Sequence, residues 1–407
     1  MDKLLDDLFA KRASVREGAL SSIVDGLKLN CRRQFAEKNF ATLLYCCLNS
    51  FKKGSSIEIV LASRALGLLA ITIGCGDNAN ELYMETLPVI SQALKSKSEA
   101  VLLSVIECLA VVTFVGADSF EQTEASMKII WDFIYSDPSE TVVAKEHSAP
   151  VLSATILSWS LLLTTVNGWN LSHHSWKGAN SYFLDLLEVD DQHVSMAACE
   201  AIALICEVGS LEKFASDTTI DIDGSSKKGK SMSNQELTAQ ELQEIVSNRA
   251  QVLLRQDSLH SAATKAVNGW NNISKDVLEI LKDGYFCETT LKIGKHTLQL
   301  HSLSQLLQVD FVKRFLGRGF VPHMLENEFL HDVFNFTPRM QISGDDLYSS
   351  EREEVVVHLF VPESKQNDGE ENEVRTHSPT RSAIRKAKTQ LLKKQRALKV
   401  ARDSPPH

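Results

Sequence analysis

Three groups of residues have types and spacings that suit chemistry. Gly224-Ser-Ser-Lys-Lys-Gly229-Lys230-Ser231 matches GxxxxGK[ST], the loop whose backbone N–H groups cradle phosphates while its lysine reaches the outer ones. That loop needs a buried strand before it and a packed helix after it, so that the N–H groups are held in place. The flanks supply neither. The preceding run carries Asp221 and Asp223, and Met232-Ser-Asn-Gln-Glu is polar, so the match reads as a coincidence of a Gly/Ser/Lys-rich segment. Glu328-x-x-His331 puts two potential metal ligands one helical turn apart, but the second such motif that a dinuclear site requires is lacking. His173-His174, between Trp169 and Trp176, has no Cys or acid at ligand spacing and reads as a loop with exposed aromatics. With no placed nucleophile, base or metal cluster, the expectation is a non-catalytic protein with no cofactor, no metal and no small-molecule substrate.

The remaining chemistry is cationic. Arg381, Arg385, Lys386, Lys388, Lys393, Lys394, Arg396, Lys399 and Arg402 fall in one segment without a single Asp or Glu. That segment is +9 in a chain of net charge −9, so the rest sums to −18. Ile384, Leu391 and Leu398 are seven apart with Ala387 between, as in an amphipathic helix. Such a helix displaces counterions from phosphates and binds nucleic acid without sequence preference and in a salt-sensitive way. The apolar stripe is thin and has no aromatic anchor, which disfavours a membrane surface. Lys313, Arg314 and Arg318 form a second, smaller candidate set for RNA contact.

These cations flank the stretch from Phe311 to Phe336, which holds six of the 17 phenylalanines. Phe311, Val312, Phe315 and Leu316 share a helical face, Gly317 and Gly319 break the helix, and a second helix restarts near Pro322. Leu325, Phe329, Val333 and Phe336 stack along it, with His323, Glu326, Glu328, His331 and Asp332 on other faces. The pattern predicts a compact helical hairpin with an aromatic core.

The N-terminal half must present this stretch, and it is repetitive. Ser14-Val-Arg-Glu17 has the form of a capping box, and Ala19, Leu20, Ile23, Val24 and Leu27 follow at helical spacing. Phe35 to Phe51 is amphipathic. Apolar helices end at Gly74, Gly116, Gly168 and Gly209, at intervals of 42, 52 and 41 residues, each placed as a left-handed terminator. More amphipathic helices, Asn80–Lys95, Phe120–Tyr135 and Asn180–Leu187, lie between. A helix pair every forty-odd residues is the period of an armadillo- or HEAT-like α-solenoid. The helices ending at those glycines are apolar nearly all round, as in a layer covered on both sides.

The expected organisation is a helical repeat domain over 1–215, a flexible linker over 216–235, a small helical domain over 236–338, an acidic disordered segment over 339–380 and the basic helix over 381–402. Within 236–338, Leu242, Ile245, Val246, Val252 and Leu253 make a narrow stripe on one helix. A β-hairpin is expected at Thr289–Leu300, turning at Gly294-Lys295. The amphipathic start MDKLLDDLFAKR is not a signal peptide. The apolar run Val151 to Val166 is too short and hydroxyl-rich to span a bilayer comfortably, and the eight cysteines, with no CxxC, read as reduced core thiols. A soluble protein of cytoplasm and nucleus, without membrane contact, is the expectation.

Three pieces, LLDDLFAKRASVREGALSSIVDGL, FVKRFLGRGFVPHMLENEFLHDVFNFTP and KAKTQLLKKQRAL, together resemble the interferon-related developmental regulator family, most closely its plant branch. The resemblance covers nearly the whole chain. It implies an armadillo-like N-terminal domain, a smaller C-terminal domain and no enzymatic activity. It also implies one of two roles. One is a ribosome-associated protein of translationally inactive ribosomes, its body resting on ribosomal RNA and protein and its basic terminal helix entering an RNA channel. The other is a transcriptional co-regulator in differentiation and stress. The sequence departs from the family pattern in lacking a Ser/Lys-rich leader, in keeping Lys265 alone where relatives carry a basic segment, and in having Arg318 and Pro322 within the aromatic stretch.

Overall fold

The computed structural model describes residues 2–135, 147–171, 176, 178–209, 214, 244–253 and 288–338. All lie in one compact unit, residues 1–341. The nucleotide-loop look-alike, the expected linker, His173-His174, the acidic segment and the basic segment 381–402 lie outside the described residues.

The chain forms an α-solenoid of paired helices with a short two-stranded sheet, as the periodicity implies. The helices are α1 (Asp2–Asp7), α2 (Ala13–Leu29), α3 (Arg33–Lys38), α4 (Phe40–Lys53), α5 (Ser56–Ile73), α6 (Asp77–Ala93), α7 (Glu99–Gly116), α8 (Phe120–Ile134), α9 (Ala149–Leu163), α10 (Ala179–Leu187) and α11 (Gln192–Val208). Helices α2, α5, α7, α9 and α11 pack side by side as one layer. Helices α4, α6, α8 and α10 cover it as a second. Two inner helices, α5 and α7, are long and apolar enough to cross a membrane, yet each is mostly buried by its neighbours. Their composition is that of a covered layer.

Local signals differ from expectation at informative places. Helix α2 starts at Ala13 with no side-chain cap, so Ser14 lies inside the first turn, where it is not placed to cap. Glu17 instead accepts from Ser55 Oγ at 2.7 Å. The capping box belongs to α5: Ser55 Oγ accepts from Glu58 N–H at 3.1 Å, and Glu58 Oε2 accepts from Ser55 N–H at 2.9 Å. Gly74 ends α5 at positive φ but with ψ −173°, outside the left-handed helical region, and Gly209 ends α11 within it, at φ 74° and ψ 30°, as expected. Gly116 does not; it is the last residue of α7, and a Cβ there would lie 2.2 Å from Ala79 O of α6. Its role is close approach. Gly168 opens a 3-10 turn beyond α9, because Thr164 and Thr165 close that helix with hydroxyls donating to Leu161 O and Leu162 O. The Phe35–Phe51 helix is split at Asn39 into α3 and α4.

Trp176 is fully buried, not exposed. Its Nε1 donates to Glu124 at 3.1 Å, and its ring lies 5.8 Å from that of Trp159. Trp159 and Trp131 both meet Phe183, so the insertion supplies a ring to the core between α8, α9 and α10.

Residues 244–253 form helix α12, which packs on α11. Arg249 Nε donates to Ser195 Oγ at 3.0 Å, and Gln192 Nε2 donates to Leu253 O at 3.3 Å. Val246, Ala250 and Leu253 are buried, whereas Ile245 and Val252 face outward. The contact row runs i, i+4, i+7 through an alanine. Strands β1 (Thr289–Ile293) and β2 (His296–Leu300) pair antiparallel, with Ile293 opposite His296 and Gly294 at positive φ in the turn. Helices α13 (Leu303–Leu316), α14 (Phe320–Glu326) and α15 (Glu328–Phe334) follow. The expected second aromatic helix is thus two helices, broken at Asn327. Asn327 Oδ1 caps α15 by accepting from Phe329 N–H at 3.0 Å.

Candidate interaction surface

The aromatic stretch does not close on its own core. It runs as a strap over the inner layer of the solenoid. At its start, Glu207 of α11 accepts from Leu303 N–H at 2.7 Å and Ser304 N–H at 2.9 Å, satisfying orphan donors of α13. Gln308 then donates to Thr164, past the end of α9, at 2.9 Å. Further on, Phe315 lies in a notch over Gly67 of α5, and its carbonyl accepts from Arg64. Arg64 stacks over the Phe315 ring at 4.0 Å and pairs with Glu107 of α7 at 2.9 Å.

Gly317 turns the strap at φ 55°, and Gly319 then presses on α2. A Cβ at Gly319 would lie 1.6 Å from Lys28 O, so only glycine fits. His323, expected on an outer face, is fully buried, with Nε2 2.9 Å from Leu27 O. That distance makes Nε2–H the donor and leaves Nδ1 without a partner among the described residues. Burial lowers the imidazole pKa below its ordinary value, against the opposing effect of the Leu27 carbonyl. The strap ends back on α5, where Asn327 Nδ2 donates to Ile71 O at 2.8 Å and Phe329 packs on Gly74. Leu325 and Val333 are only half-buried; Phe320, Met324, Phe329, Leu330, Phe334 and Phe336 are the buried set.

Under the strap lies Glu200 of α11, 2 % exposed, with Oε2 lacking a hydrogen-bond partner among the described residues. Burial pushes its carboxyl up to about 8, Arg314 acts against that shift and Asp310 adds to it.

The three cations expected to face a partner are treated unequally. Arg314 pairs with Asp310 at 2.8 Å within α13 and lines a cleft of about 340 Å³ with Glu107, Asp191, His193, Phe311 and Phe315. Lys313 and Arg318 are exposed. Lys28 of α2 joins them, its ammonium 3.4 Å from where a Cβ on Gly317 would sit. The strap therefore places Lys28 beside Gly317, with Arg318 next in the chain and Lys313 one helical turn before. Lys28 had no sequence signal, since it is distant in the chain and reaches the site only through the docking of α14 on α2. Glu328 and His331 each have another partner: Glu328 pairs with Arg33, and His331 Nε2 lies 2.8 Å from Met324 O. Among the described residues no group of three His, Cys, Asp or Glu could hold a metal.

The described cysteines are all free. Cys46, Cys47, Cys108 and Cys199 are buried, as expected of core thiols, whereas Cys75 is exposed. Burial pushes Cys108 and Cys199 up to about 12, which makes them poor nucleophiles.

The chain has likenesses among known proteins. Among solved structures, the chain is similar to an archaeal HEAT-like repeats protein from Thermococcus onnurineus NA1, with a TM-score of 0.40 and 11% identity over 69% of this chain and 86% of that one. It is similar also to computationally designed armadillo repeat proteins for modular peptide recognition, with a TM-score of 0.37 and 14% identity over 68% of this chain and 98% of that one. It is 25% identical over 366 residues to interferon-related developmental regulator 2 of Mus musculus, covering 88% of this chain and 77% of the relative. It is 23% identical to interferon-related developmental regulator 1 of Homo sapiens, covering 88% and 75%. The family model for interferon-related developmental regulators matches residues 1–268. That is more than half of the chain, and the protein belongs to the interferon-related developmental regulator family.

Proposed function

We propose that the protein is a non-catalytic scaffold that binds ribosomes, contacts ribosomal RNA through its basic segment and ribosomal proteins through its body, and holds the ribosome in an inactive or stored state. The observation that carries this reading is the segregation of charge: nine Lys/Arg without an acid between Arg381 and Arg402, in a chain otherwise at −18. A polyanion is the partner that such a segment selects. Family membership and the repeat scaffold support a regulator without catalysis. The Lys28, Lys313 and Arg318 set is a second place for phosphate contact, and Arg314, held by Asp310, contributes least there. A protein with this task works in the cytoplasm, with nuclear passage through the same basic segment.

The test is sedimentation through a gradient with purified ribosomes. The full chain is expected to move with ribosomes at low salt and to leave them as salt rises. Deleting residues 381–402 is expected to return most of it to the top. A full chain that stays at the top even at low salt would turn the assignment toward the nuclear co-regulator role.

A further inference from the structure

The N-terminal end of the solenoid carries a feature that neither the strap nor the basic segment uses. Phe9, in the turn after α1, is 60 % exposed, and Tyr45 of α4 is 62 % exposed. Their rings stack on one another, with centroids 6.4 Å apart and planes 22° from parallel. Single exposed apolar side chains are ordinary, but a contiguous pair is not. The rings rim a cleft of about 250 Å³ lined also by Arg16, Asn49, Lys53 and Glu58. Tyr45, Asn49 and Lys53 are spaced i, i+4, i+8, so one exposed stripe of α4 offers a ring, an amide and an ammonium. Lys11, Arg12 and Lys52 flank the cleft and are exposed.

The platform is held firmly. Leu8 is buried beneath it. Arg16 Nη1 donates to Ala10 O at 2.9 Å and Lys11 O at 3.0 Å, which fixes the turn that carries Phe9. Arg16 Nε pairs with Glu58 at 2.6 Å, and Glu58 is pinned by the capping box of α5. Glu58 is thus neutralised, and the four exposed cations Lys11, Arg12, Lys52 and Lys53 outnumber the three nearby acids Asp6, Asp7 and Glu17.

Stacked exposed rings beside a polar cleft edged by Lys53 are what unpaired nucleobases bind: rings take the bases and cations take the backbone. We infer that Phe9 and Tyr45, with Asn49 and Lys53, form a docking platform for single-stranded RNA. The inference rests on the RNA reading above and adds a contact on the N-terminal helices of the repeat array, separate from the basic segment.

The test is photo-crosslinking of the full chain to a short single-stranded oligonucleotide containing 4-thiouridine, with crosslinked peptides mapped by mass spectrometry. Crosslinks are expected at or beside Phe9 and Tyr45 as well as in the basic segment. Phe9→Ala/Tyr45→Ala is expected to remove the first set and weaken its formation about tenfold or more, the usual loss for a stacking ring. Phe9→Tyr/Tyr45→Phe, which keeps both rings, is expected to retain it, and Lys53→Gln to lower its salt sensitivity. The ring-keeping variant also controls for folding. Crosslinks confined to residues 381–402 would sink the platform while leaving the RNA reading intact; crosslinks nowhere would sink both. Equal crosslinking by the alanine and ring-keeping variants would also overturn the platform.

Discussion

The ring of Phe315 sits directly over Gly67 of α5, so that a Cβ added at Gly67 would lie 2.5 Å from the ring's Cζ. The ring cannot retreat freely, because Arg64 stacks on it and donates to the Phe315 carbonyl. Strap and solenoid are fitted to each other at the scale of single atoms.

Gly67→Ala is therefore expected to destabilise the protein even though alanine favours helix. Overpacking costs about 1–3 kcal/mol and helix propensity returns about 1 kcal/mol. Gly319→Ala is the sharper case, since its Cβ would meet a backbone carbonyl at 1.6 Å. A loss above about 3 kcal/mol is expected there. Urea denaturation of both variants checks the ranking.

Asn327 makes two bonds that no other residue type makes together, capping α15 and donating to Ile71 O. Asn327→Ala is expected to cost about 2 kcal/mol, from a lost cap and an unpaired buried carbonyl. Asn327→Asp keeps the cap but loses the donor, and its loss is expected to grow as the carboxylate ionises. Denaturation of Asn327→Asp at two pH values separates the two bonds.

Glu200 and His323 set the pH profile of stability in opposite directions. Burial raises the Glu200 pKa in the folded protein, up to about 8. The folded state then holds a proton that the unfolded state has released, so stability falls as pH rises from about 4.3, the unfolded carboxyl value, through that folded value. Glu200→Gln is expected to remove this fall. The His323 pKa is lowered by burial, so its contribution is present above about 6.5, the unfolded value, and is lost as pH drops through the folded pKa. Denaturation midpoints from pH 5 to 8, with and without Glu200→Gln, check the sign.

The Lys28, Lys313 and Arg318 set predicts a functional effect without a structural one. Replacing all three with Gln is expected to leave stability within about 0.5 kcal/mol. The salt slope of ribosome binding is expected to fall by about 2 if all three meet single-stranded phosphates, at about 0.7 per contact. Arg314→Gln, already paired with Asp310, is expected to change the slope less. An unchanged slope in the triple variant would remove this set from the interface.

Much of the solenoid was legible because helical periodicity is a local signal. Ala19, Leu20, Ile23, Val24 and Leu27 are all buried in α2 as their spacing required, and the hairpin turns at Gly294. What was not legible depended on distant partners. Ser14 looked like a cap because Glu17 follows it at the right interval, but Glu17 is taken by Ser55 of another helix. His323 looked exposed because it lies off the face of Leu325, Phe329, Val333 and Phe336, but α2 covers it. Trp176 looked like a loop residue because its flanks are polar, but a core three helices deep receives it. Of the candidate contact residues, the grouping of Lys313 with Arg318 was visible in sequence and Lys28 was not.

The strap also dictates how the protein must be made. Its anchoring bonds join residues 256 positions apart at Ile71 and Asn327 and 296 apart at Leu27 and His323. At about 5–20 residues per second of synthesis, α2 and α5 wait on the order of tens of seconds for the segment that covers them. During that interval, the side of each helix that the strap covers is open to water. Such long closures slow folding and leave nascent chains prone to aggregate. Truncation before residue 303 is expected to yield not a smaller working repeat protein but a client of the chaperones.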